Sequence, residues 1–186
     1  MKSLIKVIIV LLTFLVLLKF FLPENPRCSL ENIILNDDLM FLGWQRFGWV
    51  SPPALPGLGS QDALGVIYEK ENAISHHSVY QYKNQLLASL SLRINNQVFF
   101  PSSSSSWIWS DLEGSDDWVL CGDEVKIQCG NSDDPLLGDR CAAVIRYGLF
   151  ISDFSSPIEE SVMNQEQFRK IITSIDNNFA SCPQNR

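Results

Sequence analysis

A lysine-flanked apolar run at the N-terminus constrains this chain more than any other feature. Val7–Leu18 (VIIVLLTFLVLL) carries no charge, and Lys2, Lys6 and Lys19 sit around it. Read as one helix from Leu4 to Leu22, the stretch reaches about 28 Å, close to the thickness of a bilayer's hydrocarbon core. Lysines at its ends can extend their charged tips to the headgroups. The reading is a transmembrane anchor over residues 1–22. The competing reading is a cleaved signal peptide, whose apolar centre has a similar length. Such a peptide calls for small residues before its cleavage site, and KFFLPENPRC offers none. Lys2 and Lys6 keep the N-terminus in the cytoplasm by the positive-inside rule, which sends everything after residue 23 outside. The expectation is a single-pass membrane protein with an extracytoplasmic C-terminal domain.

Residues 23–32 (PENPRCSLEN) form a polar stalk, and residues 33–186 are long enough for one globular core. Residues 25–186 hold 11 Lys/Arg against 20 Asp/Glu. A domain this acidic is repelled by nucleic acid and by anionic headgroups, so neither is expected as a partner beyond the anchor's own contact with the membrane.

The five cysteines, at 28, 121, 129, 141 and 182, fit an oxidising compartment. Their spacing matches neither paired zinc ligands nor a C-x-x-C redox motif. The segment GNSDDPLLGDR reads as a loop between two strands, which pairs Cys129 with Cys141 across a hairpin. A bridge from Cys28 to Cys182 would then staple the domain's two ends. The alternative joins Cys121 to Cys129 and leaves Cys141 buried. No Asn-x-Ser/Thr sequon occurs, in keeping with a bacterial envelope protein.

Period-two alternation marks strands at Leu64–Glu69, Ser75–Lys83 and Asp123–Cys129, and Ala142–Ile151 (AAVIRYGLFI) reads as the central strand. Val98-Phe-Phe-Pro101 reads as the start of another strand. A helix capped by Asn84 should bury Leu87, Leu90 and Ile94. A second, capped by Asn164 with Gln167 returning the capping box, carries a stripe of Phe168, Ile171, Ile172, Ile175 and Phe179. Trp44 and Trp49 read as core aromatics. The fold class is α+β, an antiparallel sheet with helices packed on one face.

Little in the sequence marks chemistry. His76 and His77 are the two histidines, and as strand neighbours they point to opposite faces, so they cannot share a metal. There is no nucleophile elbow, zinc-protease helix, phosphate loop or dinucleotide fingerprint. The acidic stretch from Asp111 to Asp139 lacks the ligand spacing of a calcium loop and reads as solvated surface. No catalytic, cofactor or metal residues are assigned and no cofactor is expected. The leading function is an anchored binding, sensing or assembly module with an envelope protein as a possible partner. The alternative is an envelope hydrolase using His76 or His77 with acidic residues brought near by folding.

One resemblance bears on this. Asp123–Phe154, with Cys129, Cys141, Arg146 and Tyr147, followed by Met163-Asn-Gln-Glu-Gln-Phe168 and Ile175-Asp176, resembles exported bacterial proteins of no assigned activity. The resemblance implies an extracytoplasmic α+β domain and no catalytic residues.

Overall fold

The computed structural model describes residues 2–21, 28–35, 39, 42–52, 59–100, 107–132 and 138–182. Helix α1 (Lys2–Phe21) runs 20 residues, and its described side chains between residues 5 and 15 are exposed. Among the described residues no helix is long and apolar enough to cross a membrane.

The rest is built on seven antiparallel strands: β1 (Gln45–Val50), β2 (Asp62–Lys70), β3 (Ala73–Gln81), β4 (Trp107–Asp111), β5 (Glu124–Ser132), β6 (Arg140–Tyr147) and β7 (Phe150–Pro157). Their spatial order is β1-β2-β3-β7-β6-β5-β4. Two meanders therefore meet where β3 pairs with β7. The run AAVIRYGLFI is not one strand. Gly148, at a φ of +60° that favours glycine, turns the chain between β6 and β7. The middle of the sheet is β7, whose sequence FISDFSSP holds three serines and an aspartate, yet seven of its eight residues are buried.

Helices cover both faces of the sheet, not one. On the first face lie the short α2 (Leu30–Ile33) and the long α5 (Gln165–Ala180). Asn164 and Gln167 form a reciprocal capping box at the start of α5. Phe168, Ile171, Ile172, Ile175 and Phe179 are all buried against Ile127, Ala143, Ile145, Tyr147, Phe150 and Phe154. Burying five such side chains contributes about 8–15 kcal/mol before conformational entropy is charged against it. Phe179 stacks on Tyr147 at 3.9 Å between ring centroids, and Phe168 meets Phe154. The C-terminal end of α5 thus sits at the β6–β7 hairpin.

On the second face, α3 (Gln85–Ile94) and α4 (Asn96–Phe99) pack over Tyr80, Tyr82, Ala142, Val144 and Ile151. Asn84 caps α3 by accepting from the Leu87 N–H. Its buried face is Ala88 and Ser91 rather than the leucine stripe, and Ile94 is 61% exposed. Small residues let the helix approach closely enough for the Ser91 and Tyr82 hydroxyls to meet at 2.8 Å. Val98 and Phe99, expected to begin a strand running to Pro101, instead end α4, because Asn95 halts α3 and the chain makes another turn over the sheet; residue 101 lies outside those described. Here packing overrides the β-propensity of Val98 and Phe99.

The aromatic expectation divides. Trp44 is buried, whereas Trp49 is 48% and Phe47 75% exposed on edge strand β1. Phe47 falls in a bulge between Arg46 and Gly48, and Trp49 pairs with Val66 at the open edge of the sheet.

Two disulfides close the fold. Cys129 and Cys141 are direct cross-strand partners on β5 and β6 and are bridged. Cys28 is bridged to Cys182, with Cα atoms 5.9 Å apart. Cys121 takes part in neither bridge. Its backbone N–H donates to both carboxylate oxygens of Asp176, at 2.9 and 3.0 Å. The Tyr147 hydroxyl donates to the same group at 3.0 Å. Asp176 is a buried charge on the apolar side of α5 that its helical periodicity did not reveal.

Candidate functional site

The polar residues of the central strands separate by face, and the two histidines separate with them. On the first face, Ser75 donates to Ser156 at 2.7 Å. His77 is fully buried. The Leu35 N–H donates to its Nδ1 at 3.0 Å, which leaves the proton on Nε2 to be donated to the Ser152 hydroxyl at 2.9 Å. The Tyr68 hydroxyl donates to the Leu35 carbonyl at 2.7 Å. Both backbone groups of Leu35 are therefore held by sheet side chains, and this pins the segment entering the domain. His77 is a satisfied core histidine, out of reach of any substrate.

Burial, with a smaller contribution from His76, pulls the His77 pKa from 6.5 down to about 3. The unfolded chain takes up a proton at this residue below about pH 6.5, and the folded chain does not until about pH 3. Stability should fall through that window as pH falls, by up to about 1.4 kcal/mol per pH unit. Melting curves between pH 7 and pH 4 check this. The His77→Gln variant should be less stable at pH 7 but show a shallower acid slope than wild type. Parallel slopes would remove His77 as the cause.

On the second face a different cluster forms. Register places Ser78 opposite Asp153 and His76 opposite Ser155 across the β3–β7 pair. His76 Nε2 lies 3.4 Å from Asp153 Oδ2, with the two side chains 39% and 12% exposed. Arg140, at the start of β6, reaches across. Its Nη1 donates to the Ser155 hydroxyl at 2.8 Å and its Nη2 to the Ile74 carbonyl at 2.9 Å. Burial lowers the Arg140 pKa and the charge of Asp153 acts against that. Burial and the same carboxylate push the Tyr80 hydroxyl pKa up. A carboxylate, an imidazole and a guanidinium thus share one patch at the centre of the sheet, beside the α3–α4 cover.

The patch can bind charge. Among the described residues no hydroxyl or thiol hydrogen-bonds His76, whose ring nitrogen instead lies near Asp153. In the acidic stretch, Asp123 and Glu124 pair with Arg146 rather than with this patch. Asp111 accepts from Gln128, Asp116 and Asp117 sit in a short 3-10 turn, and residues 133 and 134 lie outside those described. Among the described residues no group of three or more His, Cys, Asp or Glu side chains gathers to hold a metal. Sequence reasoning missed Asp153 and Arg140. The signal for Asp153 was a strand-length segment, ISDFSSP, too polar to read as the middle of a sheet.

The architecture defines an α+β domain with a seven-stranded antiparallel sheet covered on both faces. It is similar to the extracellular domain of PknH from Mycobacterium tuberculosis, with a TM-score of 0.59 and 12% identity over 84% of this chain and 98% of that one. No protein-family model matches the sequence, and no curated protein matches it.

Proposed function

We propose that this protein is a membrane-anchored, extracytoplasmic binding or sensing module whose working surface is the Asp153–His76–Arg140 patch. The observation that carries the reading is the fold, which is similar to that of an extracellular domain. The two disulfides support it, because such bridges persist in oxidising compartments. The apolar run 7–18 supports the anchor. The patch runs from the middle of β7, where Asp153 pairs with Val144, to the strand end away from the tether, where Arg140 lies. Arg140 pairs with Pro157 while Tyr147 pairs with Phe150 at the other end of the same two strands, about 24 Å away. Cys182, bridged to Cys28, follows the C-terminal end of α5, beside that second end.

Carbonate-washed membranes should retain the protein, and protease added outside intact cells should remove the domain. A mature N-terminus beginning after Leu22 would overturn the anchor. Binding is tested by placing a photo-crosslinking residue at Ile74, which is exposed beside the patch, in native membranes. The control places it at Thr173 on the outer face of α5. A discrete adduct at Ile74 that is absent at Thr173 is expected. Equal labelling at both positions would sink the proposal.

A further inference from the structure

The loop joining β4 to β5 bows away from the sheet and leaves a cavity behind it. The ladder between the two strands ends with Asp111 opposite Gln128 and one further bond, from the Leu112 N–H to the Ile127 carbonyl at 3.2 Å. Gly114, at a φ of +73°, then turns the chain into the 3-10 segment Ser115–Asp117. The bonds from the Cys121 N–H to Asp176 draw the returning chain back against α5. Strand β5 starts at Glu124, so Val125 and Lys126 lie beyond the last paired row of β4. The gap beside them is a cavity of about 350 Å³, a size that suits a small molecule.

Trp118, Leu120 and Val125 give this cavity apolar walls, and Asp111 and Asp116 add two carboxylates. Lys126 also lines it, but its ammonium is bonded to Asn96 at 2.6 Å and rests over the Phe100 ring. Charge decides among ligands. The carboxylates repel an anion, and a neutral apolar molecule would strip water from them and leave them unpaired. A bare hard metal ion needs more oxygens than two carboxylates offer, and among the described residues no set of three ligating side chains gathers for one. A cation with an apolar body meets carboxylates and walls together. The indole shows the same preference within the chain. The guanidinium of Arg169, on α5, lies 5.5 Å from the Trp118 ring centroid, within the reach of a cation–π contact.

We propose that this cavity binds a small organic cation, an ammonium or guanidinium on a short aliphatic body, its head at Asp111 and Asp116 and its body against Trp118, Leu120 and Val125. The site lies at the β4 edge of the sheet, away from the Asp153–His76–Arg140 patch, so its test does not depend on the Ile74 adduct.

The test uses the full chain, labelled with 5-fluorotryptophan, in phosphatidylcholine nanodiscs. Fluorine NMR follows the Trp118 line, assigned by its loss in Trp118→Phe, during titration with n-butylammonium and n-butylguanidinium. At least one of these cations should move the Trp118 line, and move it further than that of any other tryptophan. n-Butanol lacks the charge and methylammonium lacks the body, so each should bind more weakly by about tenfold or more. Asp111 and Asp116 are exposed, and neither belongs to the packed core. Replacing both by asparagine should therefore keep the fold and weaken binding by about tenfold. A glycyl-lysyl-glycine peptide blocked at both ends separates the sources of the cation. Binding as tight as that of n-butylammonium points to a partner's side chain, and exclusion of the peptide points to a free amine. No movement of the Trp118 line with either cation in millimolar excess overturns the proposal. So does n-butanol binding as tightly as the cations, or an affinity that the double asparagine variant leaves unchanged.

Discussion

Ile172→Asp should leave the domain unfolded at ambient temperature. Ile172 is fully buried on α5, in the core cluster that also holds Phe154, Phe168 and Ile175. The substitution removes an apolar side chain worth about 2–3 kcal/mol of burial and puts a carboxylate in its place, which adds several kcal/mol unless it is neutralised. Domains of this size hold about 5–15 kcal/mol in total, so one such change takes a large share. Circular dichroism and a melting curve check it. A transition within a degree or two of wild type would mean that α5 does not carry the core. The nearby Asp176 is no precedent for tolerance, because three hydrogen bonds meet its charge and none is waiting at 172.

Replacing Cys28 and Cys182 together by serine is expected to have the second-largest effect. The bridge spans 154 residues of sequence. In the chain-entropy account, closing so long a loop stabilises by about 5 kcal/mol, against about 3 kcal/mol for the 12-residue separation of Cys129 and Cys141. Denaturant titration should therefore show a larger drop in midpoint for the Cys28/Cys182 pair than for the Cys129/Cys141 pair. The reverse order would mean that the ends of the domain are already held by other contacts, with the Leu35 clamp the first to examine.

How much of this was legible depended on whether local pattern and packing agreed. In α5 they did. An Asn cap, a Gln three residues on and an apolar stripe at helical spacing describe the same helix that the core requires. In α3 they diverged, since leucine periodicity pointed one way while the sheet demanded small residues at Ala88 and Ser91. The split of AAVIRYGLFI into β6 and β7 turns on one glycine, which hydrophobicity alone passes over. Strand β7 was hidden for a deeper reason. Its serines and aspartate are buried because long-range partners on β3 and β6 satisfy them, and such partners leave no mark on local sequence. The same concealment applied to the candidate site, whose residues lie at positions 76, 140 and 153 and meet only through strand register. His77 was visible as a histidine, but its role needed the Leu35 backbone, 42 residues away.

The Cys28–Cys182 bridge also has a mechanical meaning. A pull arriving along the N-terminal segment enters the domain at Cys28. Without a cross-link it would peel α2 and then the Leu35 clamp away from the sheet, one weak contact after another. With the sulfur bridge in place, part of that tension passes at once to the end of α5. The load then runs along a helix whose five apolar side chains are embedded in the core, so rupture requires them to slide together. Load entering at Cys28 is thereby shared with the core packed under α5.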